Sequence, residues 1–152
     1  MIRRTLRVFS VTLTVCASLS AMEYSTTSNW LVDLNATPMQ MEAIQKQFRG
    51  FDTAMIEVGY RYEAIKKAVQ MGNYLLASYH WDKIKIAIDN GAIRRPARKL
   101  SAEIFFLEKI YPQFRNALHT NNNTKINEVF EQIKLSCNTC HSDQKVGFIV
   151  IK

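Results

Sequence analysis

From Ile44 onward, apolar side chains return every third or fourth residue, through Phe48, Phe51, Met55, Val58, Tyr62, Ile65 and Val69. An α-helix turns once in 3.6 residues, so this spacing lays the apolar groups along one stripe and predicts a long amphipathic helix. Thr37-Pro38 supplies an N-cap and a proline suited to the first helical position, which sets its start. Gly50 and Gly59 lie off the stripe and mark where it can bend or split. Gly72-Asn73 is predicted to end this helix and cap the next.

The same rhythm continues downstream. Ala77, Trp81, Ile84 and Ile88 form a second stripe, widened by Tyr74, Leu75, Tyr79 and Ile86, and Asn90-Gly91 is predicted to stop it. A basic connection, Arg94-Arg95-Pro96-Ala97-Arg98, leads to Leu100, Ile104, Leu107, Tyr111, Phe114 and Leu118, with Pro112 expected to kink that helix near its middle. After the polar loop 121–124, Ile126, Phe130, Ile133, Cys137 and Cys140 carry a fourth stripe. Strand-like alternation is absent before the last residues, and Gly147-Phe148-Ile149-Val150-Ile151 is apolar enough to pack over the end of the molecule. Four amphipathic helices with short connections bury their stripes against one another. The predicted fold is an all-α, antiparallel up-down-up-down four-helix bundle over residues 37–152.

The start of the chain follows different rules. Arg3, Arg4 and Arg7 precede an apolar run from Val8 to Ala17, followed by Ser18, Ser20 and Ala21. This is the pattern of a cleaved secretory signal peptide over 1–21, because the run is shorter than the roughly 20 residues that span a bilayer. Residues 22–36 read as a flexible lead. Cleavage takes three positive charges, so the formal charge of +7 falls to +4 and the basic balance is no argument for nucleic-acid binding. No second segment is long and apolar enough to span a membrane. Cys16 leaves with the leader, so Cys137 and Cys140 remain.

Both belong to Cys137-Asn138-Thr139-Cys140-His141, the attachment sequence for c-type haem. Residues three apart on a helix share a face, so both sulfurs reach one macrocycle edge while the following imidazole meets the iron. The cysteines continue the fourth apolar stripe, which directs the haem into the bundle at one end. A redox disulfide normally opens a helix, where the N-terminus stabilises the thiolate, whereas this pair falls at a helix end. A zinc site lacks a fourth ligand. Export matches the compartment where haem c is attached, so the expected location is the periplasm.

Counting along antiparallel helices places Met55 and His141 sixteen residues from the same end, about 24 Å at 1.5 Å per residue. Met55 is therefore the candidate sixth iron ligand, failing which the iron is five-coordinate. Met39 and Met41 fall too far along, and His80 and His119 lie toward the opposite end. The count brings Ile88 and Ile104 near haem level, with Arg94, Arg95 and Arg98 just beyond as candidate partners for haem propionates.

A carboxy-terminal Cys-x-x-Cys-His on the last of four helices resembles the helical-bundle (class II) cytochromes c, the group of cytochrome c prime. More narrowly, Gly59-Tyr60-Arg61, Asn73-Tyr74, Arg95-Pro96-Ala97-Arg98 and Phe148-Ile149 resemble short exported monohaem proteins. The resemblance implies that a first-helix methionine ligates iron, a role Met55 would inherit. The Tyr-Arg that follows the motif in cytochrome c prime is missing after His141, which departs from the group's gas binding and dimer. The expected function is one-electron transfer with periplasmic or membrane-bound redox partner proteins. Alternatives are a five-coordinate haem protein binding a small diatomic ligand, or an accessory haem subunit of a redox enzyme. A homodimer is compatible with either, and no acid-base or nucleophilic constellation points to an enzyme.

Overall fold

A computed structural model describes residues 36–152. The predicted leader and all but the last residue of the polar lead lie outside the described residues. All regular structure among the described residues is helical.

The first predicted helix is two. Helix α1, Thr37–Phe48, buries no residue, and Ala36, not Thr37, holds its cap position, with Pro38 in the first turn. Arg49 then adopts φ 58° with ψ −153°, a positive-φ conformation outside helical geometry, and the helix ends there. Asp52 accepts a hydrogen bond from the Gly50 N–H (3.2 Å) at the start of α2, Phe51–Gln70. The chain therefore breaks at Arg49-Gly50, whereas Gly59 leaves α2 continuous.

Gly72, at φ 66°, closes α2 while the Asn73 N–H reaches back to the Ala68 carbonyl (2.8 Å). The Asn73 side chain then accepts from the Leu76 N–H (3.0 Å) and starts α3, Tyr74–Arg94. Asn90-Gly91 does not stop this helix. Gly91 is buried inside it, where an added Cβ would lie 2.8 Å from the Ala54 Cβ and 3.0 Å from the Phe51 ring. Glycine serves here as a point of close helix approach. Arg61 meets His80 as Ala54 meets Gly91, so α2 and α3 run in opposite directions.

The third predicted helix is interrupted. A 3-10 turn, Pro96–Arg98, precedes α4, Lys99–Ala102, a π-helical turn, Glu103–Leu107, and α5, Ile110–His119. Pro112 is the third residue of α5. Proline has no N–H to offer the carbonyl four residues back, and at this place in the first turn that costs α5 nothing; the interruption lies upstream, at residues 108–109. The π turn also changes which face is buried: Ala102, Phe106, Ile110 and Phe114 are inside, while Leu100 and Ile104 are exposed. A strict α period had assigned those two to the core. Helix α6, Asn123–Asp143, opens with Asn122 accepting from the Lys125 N–H (3.1 Å).

The helices close around Trp81, which is fully buried between Phe106, Phe114 and Tyr111. Its indole N–H donates to the Tyr111 carbonyl (3.0 Å), which satisfies the one polar atom this ring brings inside. Tyr62 stacks on Phe130, joining α2 to α6. Among the described residues no helix is long and apolar enough to cross a membrane. Beyond α6 the chain turns at Lys145 (φ 59°) and runs back beside the helix, with Ile151 bonded to Asn138. Ile151 packs against the core, whereas Phe148, Ile149 and Val150 stay exposed.

Candidate functional site

The last turns of α6 face a cavity of about 520 Å³. Ile126, Phe130 and Ile133 anchor one face of α6 in the core, and the alternation of steps of three and four carries Cys137 and Cys140 onto the same face. Both cysteines and His141 line the cavity. The facing walls are apolar: Met55 and Val58 from α2, Ile84 and Ile88 from α3, Phe106 from the π turn, and Ile149 and Ile151 from the returning segment.

Both thiols are free. Burial pushes the Cys137 thiol up to about 12, with the neighbouring Cys140 adding to the rise. Cys140 is raised as well, by burial and then by Asp143, against an opposing effect of Arg98. A dithiol that exchanges disulfides needs a thiolate stabilised near neutrality, and this environment does the reverse. Nor do the three motif residues converge on a point: among the described residues, no three His, Cys, Asp or Glu side chains are grouped to hold a metal ion. The sulfurs and the imidazole are arranged along a wall.

His141 is half-buried, and its Nδ1 lies 2.7 Å from the Ile149 carbonyl oxygen. A carbonyl only accepts, so Nδ1 carries the hydrogen, and in the neutral ring Nε2 keeps its lone pair. The backbone of the returning segment thereby selects the tautomer that can bind a metal.

Of the other sequence-derived candidates, Met55 and Arg98 line the cavity, as does Ile88. Arg98 Nη1 donates to the Gln144 backbone carbonyl (2.9 Å) and side-chain oxygen (2.8 Å), tying the interhelix connection to the end of α6. Arg94 turns instead to the Gly50 carbonyl (3.3 Å), and Arg95 is exposed; neither lines the cavity, nor does Ile104. His80 sits on the outside of α3 against Arg61, and burial, with that guanidinium, lowers its pKa.

Other participants were not legible. Arg49 and Asp52 join the cavity margin, paired with one another, because the break at Gly50 brings the start of α2 there. Ser101, Asp143 and Gln144 form a polar cluster beneath Arg98, whose hydrogen bonds hold the Asp143 carboxyl below its ordinary pKa. Asn138, the first variable residue of the motif, grips Ile151 through both backbone groups. Only Asn138 carried a signal, since it is a polar residue beside an apolar stripe. No protein-family model matches the chain, and neither a curated protein nor a solved structure shows significant similarity to it.

Proposed function

We propose that this chain is an exported monohaem c-type cytochrome that carries single electrons in the periplasm. Haem c is joined through Cys137 and Cys140, His141 is the proximal iron ligand and Met55 the sixth. The observation that carries this reading is one apolar cavity that meets both motif thiols, an imidazole with Nε2 left free, and a thioether from a different helix. Its volume falls within the roughly 300–1,000 Å³ of pockets that enclose a small organic ligand.

When bound, haem supplies a one-electron iron couple, and the polypeptide sets its potential through ligands, hydrogen bonds and exclusion of water. Cys137 and Cys140, half-buried on the cavity wall with both thiols raised in pKa, would hold the group through thioether bonds to its vinyl carbons. His141 is held in its ligating tautomer by Ile149. Met55 belongs to the rigid α2 and brings a soft donor, and Met/His ligation raises a haem potential. Arg98, anchored on Gln144, offers its remaining N–H groups to a propionate. The architecture this reading implies is that of the helical-bundle cytochromes c, with antiparallel helices and haem at one end. Its partners are periplasmic or membrane-bound redox proteins.

The protein purified from a host that matures c-type haem should have the mass of the processed chain plus one whole haem. Its spectrum should be low-spin, with a methionine–iron charge-transfer band lost in Met55→Ala. The bare polypeptide mass overturns the reading. A high-spin spectrum that shifts with carbon monoxide would instead favour diatomic-ligand binding.

A further inference from the structure

The motif leaves two positions open between its cysteines, and this chain puts asparagine at the first. Asn138 Oδ1 accepts from the Ile151 N–H (2.8 Å) and Asn138 Nδ2 donates to the Ile151 carbonyl (3.0 Å), so one side chain pairs with both backbone groups of one residue. Two residues back along the same segment, the Ile149 carbonyl receives the His141 Nδ1–H. At the near end, the Val146 N–H bonds the His141 carbonyl (2.8 Å). The segment 146–151 is thus fixed to α6 on both sides of the carbonyl that meets the imidazole. Phe148, between the fixed points, is exposed and adds no packing of its own.

We propose that Asn138 is a positioning residue for the proximal ligand: by clamping Ile151 it holds the Ile149 carbonyl on His141 Nδ1, and so tunes the iron's preference between its two oxidation states. This rests on the haem reading above. A carbonyl accepting from Nδ1 makes the imidazole a stronger donor through Nε2, which favours the ferric state. Loss of such an outer contact typically costs 10- to 100-fold, so Asn138→Ala should shift the ferric-over-ferrous preference about tenfold toward ferrous. For one electron that is about 59 mV upward in midpoint potential. Asn138→Gln keeps both amide groups on an uncharged side chain one methylene longer, and should fall between.

The test is spectroelectrochemical titration of the haem-loaded wild type, Asn138→Ala and Asn138→Gln, with the His141 Nδ1–H followed by NMR. The expected result is a graded rise in potential, with exchange of that proton accelerated at least about tenfold in Asn138→Ala. An unchanged potential and a protected Nδ1–H in a fully loaded Asn138→Ala protein overturn the proposal. If Asn138→Ala fails to mature, the Gln variant alone decides by the same two readouts. If the wild type carries no haem, the parent reading fails, and the clamp is judged on the apo chain. There, equal protection of the His141 proton in wild type and Asn138→Ala rejects it.

Discussion

Gly91→Ala is the sharpest probe of how α3 seats the cavity wall. The new Cβ would stand 2.8 Å from the Ala54 Cβ and 3.0 Å from a Phe51 ring carbon. Carbon atoms rest at about 3.5–4.0 Å, so roughly 0.7 Å of separation must be found between two closely packed helices. Overpacking of this kind costs about 1–3 kcal/mol, and exchanging glycine for alanine within a helix returns about 1 kcal/mol. The net expectation is a loss of about 1 kcal/mol, opposite in sign to the usual effect of removing a helical glycine. Ala54→Gly alone should cost about 1 kcal/mol through helix propensity. Combined, the two exchange which helix carries the methyl group and relieve the Ala54 contact while leaving the Phe51 ring to give, so the pair should lose less than the sum of the single losses. The assay is urea unfolding followed by far-UV circular dichroism for all four proteins in the same state of maturation. Independent sites add to within about 0.3–0.5 kcal/mol. Additive losses, or a Gly91→Ala protein more stable than wild type, would refute the close-approach argument. Because Phe51 begins the turn that carries Met55, and its ring meets the new methyl whichever residue stands at 54, both proteins carrying Gly91→Ala should, on the haem reading, show a weakened methionine–iron band.

Two pH dependences follow from the polar contacts. Asp143 is held below its ordinary pKa, first by Ser101 and then by Gln144, so its contribution to stability is present above the unfolded carboxylate value and disappears as pH falls through the folded one. Ser101→Ala should therefore move the acid-unfolding midpoint upward; an unshifted midpoint in an acid titration would show that this cluster is not coupled to folding. Tyr111 is raised to about 12 by burial and by its hydrogen bond to Asp82 (2.6 Å), so the stability it adds is complete below about pH 10 and lost as pH climbs to about 12. Tyr111→Phe should flatten the fall in unfolding midpoint between about pH 10 and 12, and an undiminished slope would assign that fall to other groups.

How far the sequence could be read depends on what each signal reports. The stripes of α2, α3 and α6 gave the helical character and the buried faces because each follows an ordinary α period, although the break at Gly50 and the run of α3 past Gly91 were missed; Gly72-Asn73 worked through local chemistry that needs no tertiary partner. Gly91 misled because a glycine reads the same whether it frees a backbone or admits a neighbouring helix. Leu100 and Ile104 were assigned to the core because a π turn changes the period without changing composition. At the site, Cys137, Cys140 and His141 were legible from covalent spacing, and Met55 from counting helical rise. The Ile149 carbonyl was not, since a backbone atom has no letter in the sequence. The arginine cluster divided for a similar reason: the turn at Pro96 rotates Arg98 inward and leaves Arg94 and Arg95 to other surroundings.

The widened turn at Glu103–Leu107 also acts as a gear shift between two halves of one helical arm. Downstream, Pro112 sets the phase in which Ile110 and Phe114 enter the core; upstream, a different phase points Ser101 and Arg98 toward the end of α6. Removing one residue from that turn would rewind it to an ordinary α-helix and swing everything before it by about 100°, one residue's share of a 3.6-residue turn. Leu100 and Ile104 would roll toward the interior, and Arg98 would leave the cavity rim. Over this stretch, the length of the chain decides which guanidinium faces the site as firmly as the identity of any residue in it.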